Sequence, residues 1–190
     1  TQGSVNEGAG PGRASEPDVP SEKQEERDGS KQRPKGELVL EIHAPRQELL
    51  LGEPFVLTVS LKNESSEPQA VRDLLAPDYG FLSVWLKPPG EEEILYKPPI
   101  RRDTRGKLSK SIAPGERVTT VLPIYCGSEG WLLKKPGVYA VRAAYPINKY
   151  NVAAKSIEFR VIASERTEDQ TAAELLMKRE TAQFLFLGGG

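Results

Sequence analysis

The 190-residue chain has a formal net charge of −1 at pH 7, and its basic and acidic side chains nearly balance. This balance gives no global positive field, so the composition argues against a nucleic-acid-binding protein. No apolar run approaches the roughly 20 residues that a membrane-spanning helix needs, and no basic segment followed by an apolar one marks a signal peptide.

Residues 1–36 are rich in Gly, Pro, Ser, Glu, Gln, Lys and Arg, and Val5 and Val19 are their only large aliphatic side chains. So little apolar surface cannot offset the entropy lost on ordering, and we predict that this arm is disordered. The only methionine is Met177, so we expect the chain to be a processed product or part of a longer protein.

The middle of the chain, residues 37–163, alternates apolar and polar side chains with a period of two. The clearest case is residues 52–65 (GEPFVLTVSLKNES), where Phe55, Leu57, Val59 and Leu61 fall on one face of a strand. Further strands are predicted at residues 37–43, 81–87, 93–96, 118–125, 138–145 and 156–162. With Gly or Pro at nearly every junction and no helical crossovers, the pattern predicts an all-β, antiparallel sandwich of seven or eight strands.

Three local features refine this prediction. The strands at 81–87 and 93–96 flank a Pro-Pro-Gly turn and form a hairpin by pattern. Pro123 places its strand at a sheet edge or at a bulge, because proline cannot donate to the ladder. Residues 64–80 form a longer excursion that we expect to cross between sheets, with one apolar turn near Leu74 and Leu75.

Residues 164–190 change to a helical pattern. Thr167 followed by Gln170 predicts a capping box at the start of a helix, and Gly188 ends the apolar segment. This extension either caps the sandwich or begins a following domain.

Three fragments together resemble bacterial immunoglobulin-like sandwich modules: residues 52–68 (GEPFVLTVSLKNESSEP), 112–124 (IAPGERVTTVLPI) and 135–146 (KPGVYAVRAAYP). The positions that match such modules are Gly52, Pro114, Gly115, Gly137 and Tyr139. The paired cysteines of antibody domains are absent, since Cys126 is the only cysteine. The resemblance implies an immunoglobulin-like binding or spacer module, and it extends to the similar sandwiches of intracellular proteinase inhibitors.

Residues with catalytic chemistry are few. His43 is the only histidine and lies on the polar face of the first strand, so we expect a surface role. One His and one Cys cannot supply the usual nitrogen and sulfur ligands of zinc. The run from Glu91 to Glu93 is more typical of a solvated turn than of a calcium site. We predict no catalytic residue, no metal site and no cofactor.

The candidate binding residues are in two places. A basic segment at residues 97–110 contains Arg101, Arg102, Arg105 and Lys107. With no interleaved aromatic residues to stack on bases, it is first expected to be a solvated connection between strands, and binding of an anionic polymer or an acidic partner is the alternative. Trp131, near Tyr125, either anchors a partner or plugs the end of the core. Asn63 to Ser65 fits the glycosylation pattern, although turn chemistry alone explains an Asn at a strand end.

These observations predict a non-catalytic protein-interaction or spacer module of an exported bacterial protein, extracytoplasmic or secreted. The cytoplasm is the alternative, because a chain poor in cysteine suits either compartment. There are two alternative functions: a proteinase inhibitor that presents a sandwich loop, and an accessory domain of a larger enzyme.

Overall fold

The computed structural model describes residues 38–72, 74–102, 109–147 and 150–188. The predicted arm, residues 1–36, lies outside the described residues, and so do Arg105 and Lys107. In chain order the elements are β1 (Leu38–His43), β2 (Glu48–Leu50), β3 (Val56–Asn63), β4 (Gln69–Arg72), a 3-10 helix (Pro77–Tyr79), β5 (Ser83–Lys87), β6 (Ile94–Leu95), β7 (Ser109–Ile112), β8 (Arg117–Pro123), β9 (Cys126–Gly127), β10 (Gly130–Trp131), β11 (Gly137–Ile147), β12 (Tyr150–Ala153), β13 (Ile157–Ile162), α1 (Thr167–Leu176) and α2 (Arg179–Phe186).

The first sheet has the order β1-β3-β8 and is antiparallel throughout. In β3, alternate side chains are buried and half-buried, and Leu57, Val59 and Leu61 have no exposed surface. The predicted alternation is therefore confirmed. Pro123 ends β8, which pairs only with β3 among the described residues, so the predicted edge position of this proline is also confirmed.

The second sheet has the order β2-β13-β11-β5-β6, and β12 also pairs with β11. Its ladders are antiparallel except for the one between β13 and β2, which is parallel. Strands β5 and β6 form the predicted hairpin, with Trp85 opposite Leu95. The 11-residue β11 is central, and its Tyr139, Val141 and Ala143 point into the core.

The two sheets enclose one apolar core. Phe55, just before β3, stacks on Phe159 of β13 with ring centroids 3.9 Å apart and planes 9° apart. Phe159 in turn stacks on Tyr139, with centroids 5.4 Å apart. These rings join the inner faces of both sheets, and the fold is thus a mostly antiparallel, sandwich-like β structure.

More strands are present in the described residues than the seven or eight predicted. The additional ones are short, since β2, β4, β7, β9, β10 and β12 have two to four residues each. Alternation over so few residues gives no readable pattern, and pairing with a distant segment decides the outcome.

The excursion predicted at residues 64–80 contains one of these short strands. Strand β4 pairs antiparallel with β7, which is the last part of the segment that we predicted as a basic connection. Val71 and Leu75 are buried, whereas Leu74 is 37% exposed. The expected apolar turn is thus replaced by a strand followed by a 3-10 helix.

The helical prediction for the C-terminal segment is confirmed, but the predicted capping box is wrong. The residue that caps α1 is Arg166, and it makes no side-chain capping bond. Side-chain hydrogen bonds at the start of α1 come from Ser164 instead. Its hydroxyl donates to Asp169 Oδ2 at 2.6 Å and accepts from the Arg166 backbone N–H at 3.2 Å. Within the described residues, no helix is long and apolar enough to cross a bilayer.

Both helices pack on the β structure. Ala173 of α1 lies so close to Gly52 that a methyl group added there would be 2.7 Å from the Ala173 Cα. In α2, Ala182 is fully buried and Phe186 contacts Tyr125, with ring centroids 6.1 Å apart. The segment therefore covers one end of the core.

Candidate binding groove at the edge of the second sheet

Two of the predicted binding residues, Arg101 and Arg102, are described and exposed. The Arg102 backbone N–H donates to the Asp78 carbonyl oxygen at 2.9 Å, and its Nε lies 3.3 Å from Asp78 Oδ2. Its guanidinium carbon is also 6.0 Å from the centroid of the Tyr79 ring. Arg102 is thus fixed to the 3-10 helix, and Arg101 lines a separate groove described below.

Trp131 is almost completely buried, with 2% of its surface exposed. Its ring centroid lies 5.0 Å from that of Tyr125, which in turn contacts Phe186 of α2. Of the two interpretations considered from the sequence, the structure supports the plug at the end of the core. The small exposed part of Trp131 lines a groove beside the core, and only this part could contact a ligand.

That groove, which we call the Trp131 groove, has a volume of about 450 Å³. One wall is the β5–β6 turn and β6, and the other is the β9–β10 hairpin with the segment that leads into β11. Apolar side chains form much of its lining and charged side chains its rim. The lining residues are Pro88, Glu91, Ile94, Leu95, Lys97, Gly127, Ser128, Glu129, Trp131, Leu132, Lys134, Lys135 and Tyr139.

Local sequence keeps β6 short and at the edge of its sheet. Gly90 has a φ of +67°, which glycine adopts without strain, and the Glu91 N–H donates to the Pro88 carbonyl oxygen to close the turn. Pro98 and Pro99 follow β6 and prevent a longer ladder. The side chains of Ile94 and Leu95 remain 40% and 48% exposed.

The ladder between β5 and β6 determines which backbone groups of β6 are free. The Tyr96 N–H donates to the Val84 carbonyl oxygen at 2.8 Å, so these opposite residues form a hydrogen-bonded pair. In an antiparallel ladder such pairs alternate with pairs that are not hydrogen-bonded, and Trp85 opposite Leu95 is the next pair along. The Leu95 N–H and C=O therefore point away from β5, toward the free edge.

The other end of this edge is occupied by the β9–β10 hairpin. The Ser128 N–H donates to the Lys97 carbonyl oxygen at 2.8 Å, and a methyl group at Gly127 would lie 3.1 Å from that same oxygen. The hairpin thus closes the edge at Lys97 and leaves it open at Leu95.

The rim of the Trp131 groove carries more basic than acidic side chains. Lys135 Nζ lies 2.6 Å from Glu91 Oε1, so this pair is neutral as a unit. Lys97 and Lys134 form no ion pair with any described residue, and Glu129 is the remaining acid on the rim. With three basic and two acidic side chains, the lining therefore carries a small excess of positive charge.

A buried donor is also present. Within the part of the chain that the structure describes, the Trp131 Nε1–H has no hydrogen-bond acceptor. A buried unpaired donor costs roughly 1 to 3 kcal/mol. A ligand that supplied an acceptor after a small local rearrangement would recover part of this cost.

A second groove of about 440 Å³ adjoins the first and shares Leu95, Lys97 and Ser128 with it. Arg101 lines this groove together with Pro98 and Pro99. Arg101 and Trp131, which the sequence suggested separately, thus line two adjoining grooves. Ile94 and Leu95 have the sequence pattern of an ordinary hairpin and Lys134 that of a loop, so none of the three was predicted as a binding residue.

The residues with potential catalytic chemistry are not brought together. His43 is exposed on β1, whereas Cys126 is fully buried and its thiol donates to the Gly127 carbonyl oxygen at 3.6 Å. Burial raises the pKa of Cys126, which disfavours the reactive thiolate. The described residues contain no group of three or more His, Cys, Asp or Glu side chains that could hold a metal ion.

No protein-family model matches the chain, and no curated protein sequence matches it significantly. Among solved structures, it is similar to a mutant β-glucosidase from Listeria innocua in complex with laminaribiose, with 17% identity over 67% of this chain and 16% of that one and a TM-score of 0.39. A β-glucosidase from Erythrobacter marinus gives 15% identity over 67% of this chain and 16% of that one, with a TM-score of 0.39. The CARDB domain of the PF1109 protein from Pyrococcus furiosus, in complex with di-metal ions, gives 14% identity over 68% and 96%, with a TM-score of 0.37. The chain therefore spans about a sixth of the length of the β-glucosidases that it matches.

Proposed function

We propose that this chain is a non-catalytic protein-interaction module, built on an immunoglobulin-like sandwich, of an exported bacterial protein. The observation that carries the proposal is the Trp131 groove, which has an apolar lining and a charged rim beside the free edge of β6. Apolar concavities with a few polar groups at their margin are the usual form of binding sites.

Two further observations support the proposal. The three fragments that resemble immunoglobulin-like modules contain β3, β8 and β11, of which β3 and β11 are the central strands of the two sheets and β8 pairs with β3. The thiol of Cys126, the one sulfur nucleophile in the chain, is buried away from the groove surface and from His43. A role in binding uses the exposed residues of the site and needs no reactive group.

The proposal is tested by selecting phage-displayed random peptides on the immobilised full chain. Leu95→Asp places a charge at the open edge of the groove, and Val121→Asp is the matched control, since Val121 is 60% exposed on β8 of the other sheet. Both variants should keep the melting temperature of the parent protein, because neither side chain is in the core.

We expect peptides to be enriched on the parent chain and on Val121→Asp, and to be lost on Leu95→Asp. Peptides that bind all three proteins equally would place binding outside the groove and overturn the proposal. Failure to enrich any peptide would also overturn it.

A further inference from the structure

Resting on the proposed function, we propose that the partner is an extended, acidic segment of another protein. This segment adds as a strand to the free edge of β6, hydrogen-bonds to the backbone of Leu95 and places an apolar side chain in the Trp131 groove. The inference follows from the backbone pattern, the shape of the groove and its charge.

The backbone pattern supplies the template. Leu95 presents both its N–H and its C=O to the open edge, because its opposite residue Trp85 is in a pair without hydrogen bonds. Lys97, the next residue with the same orientation, already accepts a hydrogen bond from Ser128. An incoming strand can therefore exchange two hydrogen bonds with Leu95, which is how peptides add to sheet edges.

The shape of the groove favours a single extended chain over a folded surface. The β9–β10 hairpin on one side of β6, and the turn at Pro88 and Glu91 on the other, line the same cavity as Ile94 and Leu95. In a second copy of this protein, β6 is flanked by the same two elements, whereas a single extended segment brings no flanking elements of its own.

The charge of the groove selects an acidic segment. Lys97 and Lys134 have no ion-pair partner among the described residues, and Arg101 lines the adjoining groove. Negative side chains that flank the apolar anchor would meet these cations at the rim, where charge mainly affects the choice of partner and the rate of association.

The edge of β8 differs from that of β6 at one outward position. The Ile124 N–H donates to the Phe55 carbonyl oxygen, so the neighbouring Pro123 is in a pair without hydrogen bonds and faces outward. The edge of β8 therefore lacks one donor, at Pro123, which is a common protection against strand addition, while Val121 still presents an outward N–H. At Leu95, the corresponding donor is present.

The first experiment uses synthetic peptides and the full chain. The probe is fluorescein-labelled Glu-Val-Asp-Leu-Glu-Val-Asp amide, and its counterpart carries Lys at each acidic position. We expect the acidic probe to bind about tenfold more tightly or better, with an affinity that falls as NaCl is added. Equal binding of the two peptides would overturn the assignment of an acidic partner.

N-methylation of the probe, one amide at a time, tests strand pairing directly. A methyl group on the one amide that donates to the Leu95 carbonyl oxygen should weaken binding about tenfold, whereas methyl groups on the amides that face away from β6 should have little effect. A flat response along the peptide would overturn strand addition. This series uses the parent protein and so does not depend on any variant folding.

Leu95→Pro is the matching change in the protein. It removes the outward N–H but no hydrogen bond to β5, so we expect about tenfold weaker binding and a melting temperature near that of the parent chain. Leu95→Ala retains the N–H and should weaken binding much less. Val121→Pro likewise removes an outward-facing N–H, but on β8, and this variant should bind the probe with the affinity of the parent chain.

The outcomes separate this inference from the proposed function. If selected peptides are lost on Leu95→Asp but no single amide is sensitive to N-methylation, the groove binds peptides and strand addition is wrong. If no peptide binds at all, both proposals fail. A dimer in sedimentation that Leu95→Pro dissociates would identify a second copy as the occupant and overturn the partner proposed here.

Discussion

Asn63 is the one polar side chain in the described core, and it has no exposed surface. Its Nδ2 donates to the carbonyl oxygens of Glu67 and Ile112 at 2.8 and 3.0 Å. Its Oδ1 accepts from the backbone N–H and the hydroxyl of Ser65 at 3.0 and 2.7 Å. This side chain ties the end of β3 to β7, so the structure supports turn chemistry over glycosylation for this triplet.

We expect Asn63→Ala to lower the free energy of unfolding by about 2 to 4 kcal/mol, because it leaves several buried polar groups without partners. Urea denaturation followed by circular dichroism measures this loss. Asn151→Ala, at an exposed position of β12, is the control and should change stability by less than about 0.5 kcal/mol. Equal effects at the two positions would show that the network around Asn63 contributes little.

Three ionisable side chains at the end of the core predict that the folded state loses stability at alkaline pH. Burial raises the pKa values of Tyr96, Tyr125 and Cys126, so the folded state holds protons that the unfolded chain releases. The stability that these groups contribute is complete below the ordinary values of about 8.5 for Cys and 10 for Tyr, and it is lost as the pH rises toward the raised values.

The melting temperature should therefore fall between about pH 8.5 and pH 11. Tyr96→Phe should make this fall less steep, although it removes the hydrogen bond from the Tyr96 hydroxyl to the Cys126 carbonyl oxygen. A melting temperature that stays constant over this range would contradict the assignment.

At the scale of elements, alternation predicted the longer strands because one face of each is buried. The burial of Leu57 and Val59 on β3, and of Val84 and Leu86 on β5, could be predicted without knowing which strands they pair with. The two-residue strands β9 and β10 could not be predicted, because they exist through contacts with β6 and α2. The groove was missed for the same reason: it depends on the bond between Ser128 and Lys97, which are distant in sequence.

Substitutions on the two faces of the core strands test the strand register. Leu57→Ala, Val141→Ala and Phe159→Ala should each lower the free energy of unfolding by roughly 2 to 5 kcal/mol, because each leaves a cavity in the core. Thr58→Ala and Arg160→Ala, on the opposite faces, should cost less than about 1 kcal/mol. Chemical denaturation of the five variants gives the comparison, and similar losses on both faces would refute the register.

The packing of α1 on Gly52 predicts a contrast between two glycines with positive φ. Gly52 has a φ of +90° and Gly90 one of +67°, but only Gly52 has neighbouring atoms within 4 Å of an added methyl group. Gly90→Ala should therefore cost only the backbone strain of about 1 to 2 kcal/mol. Gly52→Ala should cost clearly more, because α1 must also move, and equal losses in thermal denaturation would show that α1 is not tightly docked.

At the scale of the whole molecule, the helices support the candidate site although they do not line it. Phe186 packs against Tyr125, which contacts Trp131. Arg179 Nη2 donates to the Ser128 carbonyl oxygen at 3.1 Å, and the Ser128 N–H bonds in turn to Lys97. The C-terminal segment thus supports the hairpin that forms one wall of the groove. A substitution in α2 should therefore alter the affinity for a peptide.

Phe186→Ala tests this connection, with Phe184→Ala as its control on the same helix. Phe186 packs against the core, whereas Phe184 is 58% exposed. We expect Phe186→Ala to lower the free energy of unfolding by about 2 kcal/mol or more and to weaken binding of the acidic probe, because the hairpin loses its support. Phe184→Ala should leave both quantities near those of the parent chain. Thermal denaturation and fluorescence titration measure the two effects, and a Phe186→Ala variant that loses stability but binds the probe normally would show that the groove is independent of α2.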